Sequence, residues 1–247
     1  MLLIFSERFK LEYVFFDPMY FLIMIPPLIF MFYAQAKVNS TFKKYSNVPN
    51  SQRLTGIAAA ERLLKANGLD NVRVEGVKSR LGDHYDPGKK VLRLSPQVAN
   101  SASVAALGIV AHEVGHAVQD KTRYAFLRFR TSFVPAASLG STLGYVCVIL
   151  GILIYIFSRS EFALTVVLAG IFLFSLAVIF SLVTLPVEYN ASNRARQMLQ
   201  STGLVSVQEL NGASAVLSAA ALTYVAATLQ AVAQLFYFVM MFMGMRR

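Results

Sequence analysis

Four stretches of this chain, approximately Pro18 to Ala36, Pro135 to Phe157, Phe162 to Leu185 and Ala213 to Met243, contain no Asp, Glu, Lys, Arg or His. Each meets the length of roughly 20 apolar residues that an α-helix needs to cross about 30 Å of hydrocarbon. With 56% of its 247 residues hydrophobic, the chain would leave too much apolar surface uncovered as a water-soluble globule. The expectation is a mainly α integral membrane protein with about four transmembrane helices. The fourth stretch (213–243) is longer than one crossing requires and is rich in Ala and Ser in its first third. Part of it is therefore expected to pack on protein before the helix enters lipid.

Residues 1–17 read as an N-terminal extension. They carry Glu7, Arg8, Lys10, Glu12 and Asp17 and lack the charged, apolar, small-residue order of a cleavable secretory signal, so the span 18–36 is expected to remain as an anchor. The single cysteine, Cys147, lies inside the second span, which excludes an intramolecular disulfide and any Cys-rich metal site.

A net charge of +10 raises the question of nucleic acid, and the placement of the charges answers it. Sixteen of the 23 Lys and Arg lie between Lys37 and Arg130, and Arg194 and Arg196 follow the third span. Four crossings put both segments on one side, with Arg8, Lys10, Arg159, Arg246 and Arg247 on the other. The positive-inside bias then places residues 37–130 in the cytoplasm and both termini outside. No basic stripe interleaved with aromatics favours nucleic acid. The expected location is the cell membrane, multi-pass, with the lipid bilayer as a partner.

The region 37–134 carries the chemistry. Asn50, Ser51 and Thr55 offer helix-start residues before Ile57, Ala60, Leu63 and Leu64 at helical spacing, and Gly68 is a stop. Val72-Arg73-Val74-Glu75 and Val91-Leu92-Arg93-Leu94 alternate apolar with charged, and the turn-dense Gly82 to Gly88 lies between them, which predicts a small antiparallel sheet. From Ser103 to Lys121 an uninterrupted helical pattern contains His112-Glu113-Val114-Gly115-His116. After Pro186, residues 186–202 read as a further helix with Ala191, Ser192 and Ala195 as a small-residue face.

Residues four apart share one face of an α-helix, so His112 and His116 can aim at one ion while Glu113 stands beside it. Neutral imidazoles suit zinc, two protein ligands leave room for a third and a water, and an adjacent carboxylate can remove that water's proton. Zinc lowers the pKa of such a water to about 7, which makes peptide hydrolysis accessible at neutral pH. With three His and eight Glu in the chain, the spacing arises by chance on the order of once in a thousand such sequences. One Zn2+ per chain is the expected cofactor, with Glu113 as the catalytic base.

For the third ligand, Asp120 continues the i+4 series, but three successive turns of one straight helix cannot converge on one ion. It reads as a surface acid. Glu188 opens the helix after the third span among small residues that would let it approach Gly115, and it is favoured, with Glu209 as the fallback. His84 is a candidate for lining the cleft or hydrogen-bonding the transition state. Tyr85, Asn190 and Arg194 are candidates for polarising the scissile carbonyl or orienting a ligand. Asp83 and Asp86 read as turn caps and Tyr224 as an interfacial aromatic. The strand Val91 to Leu94 offers an edge to which an extended substrate could add.

Taken together, Gly82-Asp83-His84-Tyr85-Asp86-Pro87, Leu92-Arg93-Leu94-Ser95-Pro96, Ala111-His112-Glu113-Val114-Gly115-His116-Ala117 and Leu185-Pro186-Val187-Glu188-Tyr189-Asn190-Ala191-Ser192 resemble the YugP-type family of neutral zinc metallopeptidases of bacterial membranes. That family in turn is similar to the HtpX-type and CAAX-prenyl-protease-type membrane gluzincins. The resemblance implies a zincin-like α+β catalytic region, His112, His116 and Glu188 as zinc ligands, and Glu113 as general base. Those relatives place Asp four residues after the ligand Glu, where it supports a histidine. Here Ser192 stands at that position, and Ser192 or Asn190 is expected to substitute with weaker orientation.

The reading that follows is a membrane-bound zinc endopeptidase acting on polypeptides, membrane-associated or misfolded. Intramembrane proteolysis is weighed against it, because lipid is a costly place for the charged and polar load of the HEVGH helix. An inactive zinc-stabilised scaffold is the non-enzyme alternative, and Glu113 argues against it, since a closed structural site has no use for an adjacent base.

Overall fold

The structure, a computed structural model, describes residues 17–79 and 82–246. Residues 1–16 of the expected extension, with Arg8 and Lys10, lie outside the described residues, as do Arg80 and Arg247. In chain order the elements are α1 Pro18–Ser46, α2 Gly56–Ala66, β1 Arg73–Gly76, β2 His84–Asp86, β3 Val91–Leu94, α3 Pro96–Ala99, α4 Val104–Lys121, α5 Ala125–Ser158, α6 Glu161–Ser201 and α7 Val207–Met245. Among the described residues, α1, α5, α6 and α7 are long and apolar enough to cross a membrane. The protein is therefore mainly α, with four candidate spans and a small mixed α/β region.

Each of those helices runs further than its apolar stretch. α6 continues unbroken through Pro186 into the segment that carries Glu188. A proline inside a helix removes one backbone donor from the ladder, and a membrane helix accommodates that loss locally.

The chain divides into two compact units. Among the described residues, one comprises 17–32, Arg130–Val183 and 225–246. In it α5 and α6 approach through small residues. A Cβ on Gly144 would lie 2.6 Å from the Phe174 amide nitrogen, and one on Gly170 would lie 2.7 Å from that of Val148. Lipid tails are as apolar as the side chains they touch, so such helices associate by close van der Waals fit rather than by escape from water. Beside this contact Val148, Phe174, Val178 and Phe238 form a core, with the Phe174 and Phe238 rings edge to face at 5.3 Å.

The other unit comprises Tyr33–Phe129 and Thr184–Tyr224. Thr55 caps α2 by accepting from the Ala58 amide, and Gly68, at φ +61°, ends it in the left-handed conformation. Ser103 caps α4 through the Ala106 amide. The sheet corrects the antiparallel pairing expected for its two predicted strands. Its order is β1-β3-β2, and β1 runs parallel to β3.

The turn-dense connection holds a third strand, β2, antiparallel to β3 with Tyr85 opposite Leu92. β2 and β3 are joined by the short segment 87–90, so they form a hairpin, and β1 is left with the far side of β3. Alternation marks which residues face the core, but it carries no information about strand direction. β3 is thus the central strand, with Val91, Leu92 and Leu94 fully buried. It has no free edge for a substrate, and the open edge on the hairpin side belongs to β2.

The core of this unit joins Leu63 of α2, Leu92 and Leu94 of β3, Leu107, Val110 and Val114 of α4, and Leu199 of α6. Glu209, the fallback ligand, is engaged elsewhere. It accepts from the Ser206 amide at the start of α7 and from the Ser51 hydroxyl at 3.0 Å. Burial raises its pKa, but the Ser206 and Ser51 donors outweigh that and hold it below the usual carboxylate value.

Two outcomes follow. Gly170→Ala should destabilise the protein by about 1–3 kcal/mol, because backbone blocks the added methyl, whereas Gly76→Ala, with nothing within 4 Å, should stay within about 0.5 kcal/mol. Thermal unfolding in detergent measures both. Because the Glu209 pKa is lowered by folding, its contribution is present above the unfolded carboxylate pKa of about 4.3 and is lost as pH falls through the folded value. The stability gap between native protein and Glu209→Gln should therefore shrink on acidification below about pH 4, and a gap independent of pH would contradict the clamp.

Candidate metal centre

The helical turn of α4 puts His112 and His116 one above the other, and their ring centroids are 4.8 Å apart. The second element of the site comes from the end of α6. A Cβ on Gly115 would lie 2.6 Å from the Ala191 carbonyl oxygen, so only glycine lets the two backbones meet here. Ala191 and Ala195 are fully buried along the same contact.

This close crossing delivers Glu188, 2% exposed, to both imidazoles. Its Oε2 lies 3.1 Å from His112 Nε2 and 3.6 Å from His116 Nε2. Ligand atoms of all three residues lie within 4.8 Å of one another.

The two Glu188 contacts lie close to the spacing of zinc ligands. Tetrahedral bonds of about 2.0–2.2 Å place ligand atoms roughly 3.3–3.5 Å apart, and two nitrogens with one carboxylate oxygen are a donor set that zinc accepts. The rings are also turned correctly. His116 Nδ1 lies 2.9 Å from the Gln119 Oε1 and His112 Nδ1 lies 3.2 Å from the Ser192 Oγ, which leaves both Nε2 atoms for a metal.

Ser192 thus stands within hydrogen-bonding distance of a histidine ring. Asn190 acts one step further out. Gln119, fully buried, donates to the Val187 carbonyl at 2.8 Å and to the Asn190 Oδ1 at 3.0 Å, and Arg194 Nε donates to the same Oδ1 at 2.8 Å.

Gln119 is a residue that sequence reasoning missed. It stands three positions after His116 on the same helical face, and that spacing was the available signal.

Glu113 is 9% exposed and accepts the Tyr85 backbone N–H at 3.0 Å. Burial raises its pKa above the usual carboxylate value, with Glu188 adding to the rise and the two imidazoles opposing it. Glu188 is held well below that value. Burial works against its charge, but the hydrogen-bonding imidazoles of His112 and His116 outweigh burial. His116 is raised, because Glu188 and Glu113 overcome a burial effect that acts in the opposite direction. A cluster of two carboxylates and two imidazoles thus favours positive charge at its centre, as a divalent cation supplies.

The remaining candidates fall outside this group. His84 is exposed, with Nδ1 2.7 Å from the Gly82 carbonyl and Nε2 3.2 Å from Arg93. Asp86 takes Arg93 and the Gly88 and Lys89 amides and so caps its turn, whereas Asp83 departs from that expectation and takes the amide and hydroxyl of Ser95, just past the end of β3. Asp120 departs from its expected place as a surface acid: it accepts from the Tyr85 hydroxyl at 2.7 Å and from Lys90. Burial and then the Asp120 contact push the Tyr85 hydroxyl far above its ordinary pKa, so it stays protonated and donates.

Fold and site define a multi-pass membrane protein with an HExxH-plus-Glu metal site, the arrangement of gluzincin peptidases. Residues 20–243 match the family described as "Putative neutral zinc metallopeptidase", and the chain belongs to that family. It is 43% identical over 228 residues, 92% of this chain and 98% of the relative, to "Putative membrane protease YugP" of Bacillus subtilis (strain 168). No solved structure matches it.

Gln119→Leu removes the acceptor for His116 and should weaken zinc binding about 10–100-fold, read by competition with a chelator of known affinity. Unchanged affinity would mean that the ring is oriented by packing alone.

Proposed function

We propose that this protein is a membrane-bound endopeptidase that uses one zinc ion, held by His112, His116 and Glu188, to hydrolyse peptide bonds in membrane-associated or misfolded proteins. The observation that carries this reading is the placing of a buried carboxylate, Glu113, beside three convergent ligands. Zinc bound there supplies Lewis acidity and, with only three protein ligands, a position open to water. Glu113 removes a proton from the attacking water and returns it to the departing amine. Burial moves its pKa upward, the direction that favours a carboxylate that must both accept and release a proton.

Gln119, through Asn190 and Arg194, and Ser192 keep the two rings in the ligating orientation. Charge bias supports a cytoplasmic position for residues 37–130. A purely structural zinc site is disfavoured by the same carboxylate, since a buried acid next to a closed site would cost stability without a role.

Purified in detergent, the protein should carry about one zinc per chain and cleave casein or a membrane-protein substrate. Glu113→Gln should retain the zinc and lose about 10²–10⁴-fold in rate. Equal rates in the two forms would remove the enzymatic reading. A tag beside Lys89 should be reached from the cytoplasm only, and labelling from outside intact cells would reverse the orientation.

A further inference from the structure

Two carboxylates of α4, Glu113 and Asp120, are seven residues apart and so share one face of the helix two turns apart. Both are tied to one residue of β2. The Tyr85 backbone N–H donates to Glu113 Oε2 at 3.0 Å, and its hydroxyl donates to Asp120 Oδ2 at 2.7 Å. Lys90, at the turn into β3, reaches the same Asp120 oxygen. The Tyr85 ring between these ends is 8% exposed.

β2 is only three residues long and pairs with the sheet on one side alone. In an antiparallel ladder the backbone groups of alternate residues point away from the partner strand. Tyr85 is such a residue, since its N–H goes to Glu113 and not to β3. Among the described residues, no other group hydrogen-bonds the Glu113 carboxylate. The orientation of that carboxylate therefore depends on where a short edge strand is held, and the bond at its far end is the one to Asp120.

We infer that Asp120 is a positioning residue of the hydrolytic site: by holding the Tyr85 hydroxyl it fixes β2 against α4, so that the Tyr85 backbone N–H keeps Glu113 in one orientation beside His112 and His116. The inference rests on the peptidase reading for its effect on rate, and on geometry alone for the clamp. Asp120 touches neither metal ligand nor substrate in this scheme. A displacement of the base by about 1 Å is enough to cost on the order of 10²-fold in rate.

The test compares Tyr85→Phe, Asp120→Ala and Asp120→Asn in the full-length, zinc-loaded protein in detergent. Tyr85→Phe removes one hydroxyl and leaves the ring, which keeps the test available if Asp120→Ala does not fold. In both of these variants kcat should fall about 10–100-fold, with KM and zinc content unchanged. The double variant should be no slower than either single one, because both act through one bond. Asp120→Asn still presents an oxygen to the tyrosine and should retain most of the rate.

Hydrogen exchange of the Tyr85 amide supplies a readout independent of catalysis. With Glu113 as its sole acceptor, exchange should accelerate at least about tenfold in Tyr85→Phe and Asp120→Ala and stay slow in Asp120→Asn. Slow exchange in the first two, unaltered kcat, or an Asp120→Asn as impaired as Asp120→Ala would overturn the inference. If the native protein cleaves nothing, the peptidase reading falls, and amide exchange still decides the clamp.

Discussion

The site depends on one close contact between two helix backbones. Gly115 of α4 meets the carbonyl of Ala191 of α6 at a distance that no side chain would permit. From it follows the position of Glu188, three residues before Ala191, and of Ser192, one after. Widening the crossing by even one methyl group would carry the third ligand away from a pair of imidazoles that lie 3.1 and 3.6 Å from it. The glycine inside the HExxH run is therefore as much a part of the site as the residues on either side of it.

Such a crossing puts polar groups where water does not reach, and the structure answers with a connected shell. Gln119 is fully buried, yet its amide uses both ends: the oxygen accepts from His116, and the nitrogen donates to Val187 and Asn190. A buried amide satisfied on both sides fixes more than one ring, because it also ties α4 to α6 beside the ligands. Arg194 extends the chain outward from Asn190. The three residues Glu188, Asn190 and Ser192 thus act on the two histidines by different routes, one by direct approach and two through hydrogen bonds.

Much of this was legible in the sequence because it is periodic or local. Apolar length marked the four helices, the i, i+4 spacing marked His112 and His116, and small residues around Glu188 and Gly115 marked their meeting. The pairing of the strands was not legible: alternation shows a face but not a direction, and β2 was too short to stand out from the turn residues around it. Gln119 and Asp120 were passed over for a related reason. Their partners, Asn190 and Tyr85, are distant along the chain, and a polar residue near a helix end reads as solvated until the partner is placed. Pro186 misled in the opposite sense, since it marks a helix boundary in water-soluble segments, whereas α6 runs through it.

The two buried glutamates differ in environment rather than in residue type. Glu188 lies against both imidazoles, which stabilise its charge and pull its pKa down in spite of burial. Glu113 has one backbone N–H and the repulsion of Glu188, and burial leaves its pKa raised. The first is suited to remain an anion and hold a cation, the second to exchange a proton. Environments that push two carboxyl groups in opposite directions separate ligand from base without any change of side chain. Here that separation is set by which strand or helix faces each oxygen: α4 itself for Glu188, and the Tyr85 amide of β2 for Glu113.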